Sequence, residues 1–295
     1  MGNLACIFPG QGSQFVGMGK EAVASSQKVK DMFTAADEVL GFSLSEIMFD
    51  GPDEMLRQTE YTQPAIFLHS VALYSNLDIR PDAVAGHSLG EFSALTACGA
   101  LRFEDALLIV RKRGQLMQQA GMDNPGSMAA VIGLADEQVE EICATVSTPD
   151  EQVVPANYNC PGQLVISGSE AAIDRAIDQL KARGCKLARK LPVSGAFHSP
   201  LMQPAYDGLK NSLETLRIST PFCPVYANFT ARPTTDPEII RSNMLDQLLN
   251  PVRWTHTLQN MFEDGLRNFT EIGPGNVLQG LVKRTLKDVE LNGYQ

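Results

Sequence analysis

The sequence predicts an α/β fold, in which a large domain with a parallel sheet core carries a small inserted ferredoxin-like α+β domain. Strand-like and helix-like segments alternate through the first 124 residues, as is typical of a mostly parallel sheet. From 125 to 192 the order changes to β-α-β-β-α-β, the split βαβ arrangement. The 295 residues also suit one domain with an insertion better than a minimal domain. We therefore assign 1–124 and 193–295 to the large domain and 125–192 to the insert.

The first elements of the large domain follow from short apolar runs and the loops between them. A strand is expected at Leu4–Phe8, followed by a loop over 9–14 and by helical patterns up to about Leu56. A strongly apolar helix is expected to begin at Pro64, because proline is favoured at the first position of a helix. The strand at 83–85, the helix from Glu91 and the helix at 103–119 complete the first part of this domain.

The insert contains four strand patterns and two amphipathic helix patterns. In order they are a strand at 128–133, a helix at 136–146, strands at 153–158 and 163–168, a helix at 170–183 and a strand at 186–193.

The stretch Gly86-His87-Ser88-Leu89-Gly90 lies between a predicted buried strand and a predicted helix. Strand, G-x-S-x-G and helix in this order are typical of a nucleophile elbow and make the large domain α/β-hydrolase-like. Ser88 is then the candidate nucleophile, and the N–H of Leu89 at the start of the helix is free to bind an oxyanion. The alternative is a chance pattern, with Ser88 capping a buried helix.

A serine nucleophile needs a base, and the sequence has four histidines. His87 is next to Ser88 on the turn, His69 lies in an apolar helix pattern, and His256 lies on a predicted helix. His198 lies in a loop rich in Gly, Ser and Pro, which is able to present a side chain to a cleft. Its position alone makes His198 a candidate base. The alternative is an ordinary loop residue with no catalytic role.

Arg111, Lys112 and Arg113 are neighbours on one predicted helix. Three consecutive positions cover most of a helix circumference, so one of the side chains must point inward or sideways. An inward arginine near the nucleophile suits a carboxylate, which it binds through two parallel hydrogen bonds. The alternative is a solvated basic surface.

Composition excludes several other classes of function. The net charge of −10 argues against nucleic acid as a partner. The six cysteines form no C-x-x-C pair, so we expect no metal site. The loop at 10–15 matches neither the dinucleotide nor the nucleoside triphosphate motif, so we expect no cofactor. Without a signal peptide pattern or a long apolar run, we expect a cytoplasmic protein that does not bind membranes.

Eight segments of the chain form a recognisable set, in sequence order: FPGQGSQ from Phe8, TQPA from Thr62, GHSLGE from Gly86, KRG from Lys112, NCPGQ from Asn159, AFHS from Ala196, NPVRW from Asn250 and EIGPG from Glu271. Together they resemble the malonyl-CoA:acyl carrier protein transacylases, which are stand-alone enzymes of fatty acid synthesis or discrete enzymes that serve polyketide synthases. Segment 227–233 is more similar to the discrete polyketide-type enzymes.

The resemblance implies transfer of malonyl from malonyl-CoA to the phosphopantetheine thiol of a carrier protein through a malonyl-Ser88 ester. His198 would be the general base and then the general acid, oriented by the backbone carbonyl of Gln247. Backbone N–H groups of Gln11 and Leu89 would form the oxyanion hole, and Arg113 would bind the malonyl carboxylate. The resemblance also implies that three further residues would line the substrate pocket: Gln63, Asn159 and Gln163.

The same resemblance bears on specificity and partners. Ala-Phe-His before Ser199 is the pattern of malonyl-specific members, and Phe197 would occupy the space that an α-methyl group needs. We expect a monomer whose acidic carrier protein docks on a basic cluster late in the insert, which comprises Lys181, Arg183, Lys186, Arg189 and Lys190. A solvated helix end and strand edge is the alternative for that cluster.

Three other functions compete with this interpretation. An acyl hydrolase on the same scaffold would release the acyl group to water, although a carboxylate-binding Arg113 favours a malonyl donor. A general serine esterase should have an acidic residue and a late histidine, for which only His256 is available. A carrier-binding protein with a decayed site is disfavoured by the complete set of Gln11, Ser88, Arg113 and His198.

Overall fold

The computed structural model describes residues 3–295. Within them the chain forms ten strands, listed here in chain order: β1 (Leu4–Phe8), β2 (Ala83–Gly86), β3 (Gly126–Ile132), β4 (Val153–Cys160), β5 (Gln163–Ser169), β6 (Leu187–Lys190), β7 (Val225–Tyr226), β8 (Pro233–Thr234), β9 (Asn268–Ile272) and β10 (Glu290–Tyr294).

The same residues form thirteen α-helices and a short 3-10 helix at Pro200–Met202. The α-helices are α1 (Lys20–Ser25), α2 (Gln27–Leu40), α3 (Leu44–Asp50), α4 (Asp53–Leu56), α5 (Thr59–Ser75), α6 (Gly90–Ala97), α7 (Phe103–Asp123), α8 (Asp136–Val146), α9 (Glu170–Ala182), α10 (Gln203–Thr215), α11 (Pro237–Asp246), α12 (Trp254–Glu263) and α13 (Val277–Thr285).

The larger sheet has the strand order β10-β9-β1-β2-β7-β8. All neighbours in it pair in parallel except β7 and β8. The central strands β1 and β2 are almost entirely buried, as is expected for parallel strands covered by helices on both faces. The predicted α/β class with a mostly parallel sheet is confirmed.

The smaller sheet has the order β4-β5-β3-β6 and is antiparallel throughout. Helices α8 and α9 complete the β-α-β-β-α-β order, and they share a separate apolar core with this sheet. The predicted ferredoxin-like unit is therefore present, whereas its exact boundaries at 125 and 192 stay a prediction. Backbone hydrogen bonds of Tyr158 and Ala156 with Val252 attach it to the large domain.

The apolar helix predicted to begin at Pro64 begins at Thr59 instead, so Pro64 lies inside α5. A proline there cannot donate to the carbonyl oxygen four residues earlier, which belongs to Glu60. Arg111 Nη1 from α7 donates to that oxygen at 2.5 Å. The helix continues through Pro64 because a neighbouring helix supplies a donor to this carbonyl, which local sequence cannot indicate.

Among residues 3–295, no helix has both the length and the apolar character that crossing a membrane requires.

Candidate active site

Ser88 lies on a sharp turn between β2 and α6, with a backbone φ of 51°. This is the left-handed region, which costs energy for a residue other than glycine and is typical of a nucleophile elbow. The flanking glycines permit the turn: a Cβ on Gly86 would lie 1.9 Å from Gly90, and a Cβ on Gly90 would lie 2.0 Å from the carbonyl oxygen of Phe8. Glycine is therefore needed at 86 and 90, because any side chain there would collide with neighbouring backbone.

A loop that follows β7 holds the elbow in place. The backbone N–H of Ser88 donates to Asn228 Oδ1 at 2.6 Å, and Asn228 Nδ2 donates to the carbonyl oxygen of Gly86 at 2.6 Å. The backbone N–H of Asn228 in turn donates to Glu91 Oε2 at 2.8 Å. One asparagine side chain therefore bonds to the backbone on both sides of His87.

Ser88 and His198 form a hydrogen-bonded pair. Ser88 Oγ lies 2.8 Å from His198 Nε2, and His198 Nδ1 lies 2.8 Å from the backbone carbonyl oxygen of Gln247. A carbonyl only accepts, so Nδ1 carries the proton and Nε2 is free to accept one from Ser88. Of the four histidines considered, the structure brings His198 to the serine.

Arg113 is the inward member of its basic run. Its side chain is 1% exposed, whereas Lys112 is exposed and Arg111 pairs with Glu60 at 2.8 Å. Arg113 Nη1 donates to Gln63 Oε1 at 2.7 Å, and Nη2 donates to Gln247 Oε1 at 2.8 Å and to Ser88 Oγ at 3.2 Å. The buried Nε has no hydrogen-bond partner within the described residues. The buried guanidinium thus lies within hydrogen-bond distance of the candidate nucleophile.

We call Ser88, Glu91, Arg113, His198 and Gln247 the serine cluster. Gln247 connects its charged members, because its Nε2 donates to Glu91 Oε2 at 3.0 Å and to the carbonyl oxygen of Ser88 at 3.1 Å. Its backbone carbonyl holds His198, and its side-chain oxygen accepts from Arg113.

Burial dominates the electrostatics of the serine cluster. Burial, assisted by the positive charge of Arg113, lowers the pKa of His198 to about 3, so the imidazole is neutral and able to act as a base. Burial also lowers the pKa of Arg113 to about 10, which leaves it protonated at neutral pH. Burial raises the pKa of Glu91 to about 7, although hydrogen bonds from Asn228 and Gln247 and the charge of Arg113 act against the rise.

Two backbone N–H groups lie close to Ser88: Gln11 lines the same cavity as Ser88, and Leu89 follows Ser88 directly in the sequence. Within residues 3–295, the N–H groups of Gln11 and Leu89 donate to no protein acceptor. The Gln11 loop lies against the elbow, since a Cβ on Gly10 would lie 2.3 Å from the carbonyl oxygen of His87. Both donors predicted from the sequence are therefore near the nucleophile and unengaged.

The space in front of Ser88 is an inner cavity of about 110 Å³. Phe197 and His198 line it together with apolar side chains from both domains, including Met117, Met128 and Val193. Phe197 is 6% exposed, so its ring is part of the cavity wall. The cavity has room for a small acyl group.

A wider outer groove of about 290 Å³ continues from the inner cavity to the surface. His87 and Asn157 line both spaces. Asn159 and Gln163 line the groove, where Asn159 Oδ1 accepts from His87 Nε2 at 2.9 Å and Gln163 Oε1 accepts from Arg284 at 2.6 Å. The structure therefore separates Gln163 and Asn159 from Gln63, which contacts Arg113.

The predicted basic docking cluster is exposed at the end of α9, in the loop that follows it and on β6. Arg183 pairs with Glu141 at 3.2 Å and Lys190 with Asp174 at 2.7 Å. β6 leads into Leu191, which lines the outer groove. The described part of the chain holds no group of three or more His, Cys, Asp or Glu side chains that could bind a metal ion.

Sequence reasoning missed two members of this arrangement, Glu91 and Asn228. A charged residue inside the apolar helix after the elbow was a signal for Glu91, because such a side chain is rarely buried without partners. Asn228 follows a two-residue strand and has no comparable local signal.

The chain matches a family model described as acyl transferase domain over residues 5–293. It is 44% identical to the malonyl CoA-acyl carrier protein transacylase of Staphylococcus aureus, over all of this chain and 96% of that protein. It is 43% identical to the transacylase of that name from Bacillus subtilis, over 96% of this chain and 90% of that protein.

Solved structures agree with these relatives. An acyl carrier protein S-malonyltransferase from Vibrio cholerae superposes with a TM-score of 0.96 at 42% identity, covering 100% of this chain and 97% of that one. A malonyl-transacylase solved in complex with its type II polyketide synthase acyl carrier protein gives 0.95 at 40% identity, covering 99% and 96%. With these matches, an elbow serine paired with a histidine and a buried arginine within hydrogen-bond distance of that serine, the chain belongs to the acyl transferase domain family, among the malonyl CoA-acyl carrier protein transacylases.

Proposed function

We propose that this acyltransferase moves a malonyl group from malonyl-CoA to the phosphopantetheine thiol of an acyl carrier protein by a ping-pong mechanism. The observation that carries the proposal is the placement of Arg113 Nη2 at 3.2 Å from Ser88 Oγ, beside the 2.8 Å pair of Ser88 and His198. A nucleophile and its base support acyl transfer in general, and the buried guanidinium supports an acyl group that ends in a carboxylate.

In the first half-reaction, Ser88 Oγ attacks the thioester carbonyl carbon while His198 Nε2 takes the hydroxyl proton. Negative charge develops on the carbonyl oxygen, and the N–H groups of Gln11 and Leu89, which have no acceptor among the described residues, would bind it. His198 then gives its proton to the CoA thiolate, and a malonyl ester remains on Ser88. The neutral imidazole that burial favours is the form that this step needs.

In the second half-reaction, the carrier protein's thiol reaches Ser88 through the outer groove and loses its proton to His198. The thiolate attacks the ester carbonyl, and the proton returns from His198 to Ser88 Oγ. Because a serine ester can receive the acyl group from one thiol and give it to another, one nucleophile serves both halves. No cofactor is needed for these steps.

Arg113 supplies most of the selectivity in this proposal. A malonyl carboxylate moved from water into a buried cavity is strongly disfavoured unless it meets an opposite charge. Phe197 would narrow the cavity next to the ester, so that an α-methyl substituent is excluded.

The experiment that tests the proposal is intact-protein mass spectrometry after addition of malonyl-CoA and then of a phosphopantetheinylated carrier protein. We expect a malonyl adduct that moves to the carrier, and no adduct on Ser88→Ala. Ser93→Ala is the matched control, since Ser93 is a buried serine of the following helix whose hydroxyl has no partner within the described residues. An adduct that vanishes without reaching the carrier would favour the acyl hydrolase, and absence of any adduct would refute the proposal.

We also propose that the exposed basic cluster on α9 and β6 attracts the acidic carrier protein. Lys186 and Arg189 are the members to test, because Arg183 and Lys190 already pair with acidic neighbours. Reversal of both charges should raise the KM for the carrier about fivefold at low salt, with a smaller effect at high salt, while acylation by malonyl-CoA persists. Lys210→Glu on α10 is the control, and an unchanged KM in the double variant would refute this docking site.

A further inference from the structure

The serine cluster contains one buried negative charge that the proposed mechanism does not use. Glu91 is 2% exposed and lies within the same hydrogen-bond network as Arg113, which is 1% exposed. The two are not in direct contact: Gln247 lies between them, with its Nε2 on Glu91 and its Oε1 on Arg113. The hydrogen bonds of Arg113 within the described residues go to neutral oxygen atoms.

This separation allows Glu91 to balance the positive charge of Arg113 without using the hydrogen-bond donors of the guanidinium. A carboxylate in contact with the guanidinium would take the donors that a substrate carboxylate needs. With the side-chain amide of Gln247 between them, Glu91 still acts to raise the pKa of Arg113 and so favours the charged guanidinium. The unpartnered Nε of Arg113 stays available.

A bound malonyl group changes the balance, because its carboxylate adds a second negative charge to a buried site that has one guanidinium. An uncompensated charge at such a site is costly, and a buried carboxylate can avoid the cost by taking up a proton. We propose that Glu91 takes up one proton from solvent when a malonyl group binds at Arg113 and releases it when the group leaves, so that malonyl transfer is linked to a proton and acetyl transfer is not. This inference rests on the proposed function, since it assumes that Arg113 binds the malonyl carboxylate.

The surroundings of Glu91 support this exchange. Burial already raises the pKa of Glu91 to about 7, and a second negative charge nearby would raise it further. Arg113 on α7 is the charged group that acts on Glu91, whereas Asn228 after β7 and Gln247 after α11 are neutral. His198, beyond Gln247, stays neutral because its pKa is lowered to about 3.

The sign of the pH dependence follows. Below about pH 7, Glu91 is already protonated, and a malonyl group binds without proton uptake. Above it, each binding event must take a proton from increasingly alkaline solvent. The kcat/KM for malonyl-CoA should therefore fall with rising pH relative to that for acetyl-CoA.

The test is the ratio of kcat/KM for malonyl-CoA to that for acetyl-CoA between about pH 6 and about pH 9, which cancels the titration of groups that both substrates use. A rise of one unit in the pKa of Glu91 on binding corresponds to about a tenfold fall in this ratio across the range. Glu91→Gln keeps an oxygen for Asn228 and Gln247 but loses the titration, so its ratio should be flat. Glu271→Gln is the matched control, because Glu271 is a buried carboxylate that accepts from backbone N–H groups away from Arg113.

A flat ratio in the unmodified protein, or a slope that persists in Glu91→Gln, would overturn the inference. If Glu91→Gln does not fold, proton uptake by the unmodified protein decides the question: at about pH 7.5, a one-unit rise in the pKa of Glu91 gives about half a proton per malonyl-enzyme, and none is expected per acetyl-enzyme. Equal uptake for both substrates would contradict the idea. A missing malonyl adduct on Ser88 would instead refute the proposed function, so the two failures are distinct.

Discussion

In the serine cluster, each polar side chain is held by at least one other member or by the elbow backbone, whereas in the outer groove several of the polar side chains are partly or fully exposed. Arg113, His198 and Gln247 are each at most 3% exposed. Gln163 is half-buried, and its hydrogen-bond partner Arg284 is exposed. Hydrogen bonds and charges have larger effects where water is excluded. We therefore expect the cluster to determine specificity for the acyl group. We expect the groove to guide the pantetheine arm, and a substitution of a groove residue to change binding free energy only slightly.

The largest effect that would sharpen this comparison is expected from Arg113→Ala. Loss of a buried charge that pairs with the substrate should cost about 3–4 kcal/mol, which lowers kcat/KM for malonyl-CoA by about 100- to 1,000-fold. Acetyl-CoA has no carboxylate, so its kcat/KM should change far less. Steady-state kinetics with both donors measure the two effects.

Arg111→Ala is the matched control for that variant. Arg111 belongs to the same helix but pairs with Glu60, away from Ser88. Its ratio between the two donors should equal that of the unmodified protein. An equal loss for malonyl-CoA and acetyl-CoA in Arg113→Ala would show that Arg113 supports the fold of the site and does not select the substrate.

An intermediate effect is expected where the wall of the inner cavity meets the acyl group. Phe197→Leu removes part of a ring that lines the cavity, so methylmalonyl-CoA should gain about tenfold relative to malonyl-CoA. Phe67→Leu, which changes a buried ring on α5 that stacks on Phe103, is the control. Competition between the two donors, followed by mass spectrometry of the acyl-enzyme, measures the ratio. No gain in Phe197→Leu would locate the exclusion of the α-methyl group elsewhere.

The same contrast explains what the sequence could predict. The elbow around Ser88 and the elements of the insert follow from local patterns, since glycine spacing and apolar periodicity act over a few residues. The local pattern left Arg113 as one of three candidates on its helix, and the family resemblance selected it; the packing of α7 is what turns its side chain inward. The backbone N–H of Ser88 meets Asn228 across 140 residues of sequence, and no local pattern carries that contact. Local patterns therefore left out the contacts made by tertiary packing: the family resemblance supplied His198 and Gln247, and Asn228 was missed.

The smallest effect is expected from Gln163 in the outer groove, and Gln63, a buried glutamine that contacts Arg113 of the serine cluster, provides its comparison. Gln163→Ala removes a contact with an exposed arginine, which is worth about 0.5 kcal/mol, so the KM for malonyl-CoA should rise at most about threefold. Gln63→Ala leaves the buried Arg113 Nη1 without its acceptor, a loss of about 1.5–3 kcal/mol, and kcat/KM for malonyl-CoA should fall about 10- to 100-fold. Kinetics of both variants under one set of conditions measure the difference. Equal losses in kcat/KM for the two variants would contradict the distinction between cluster and groove. A glutamine side chain would then contribute the same free energy in a buried site as in a partly exposed one.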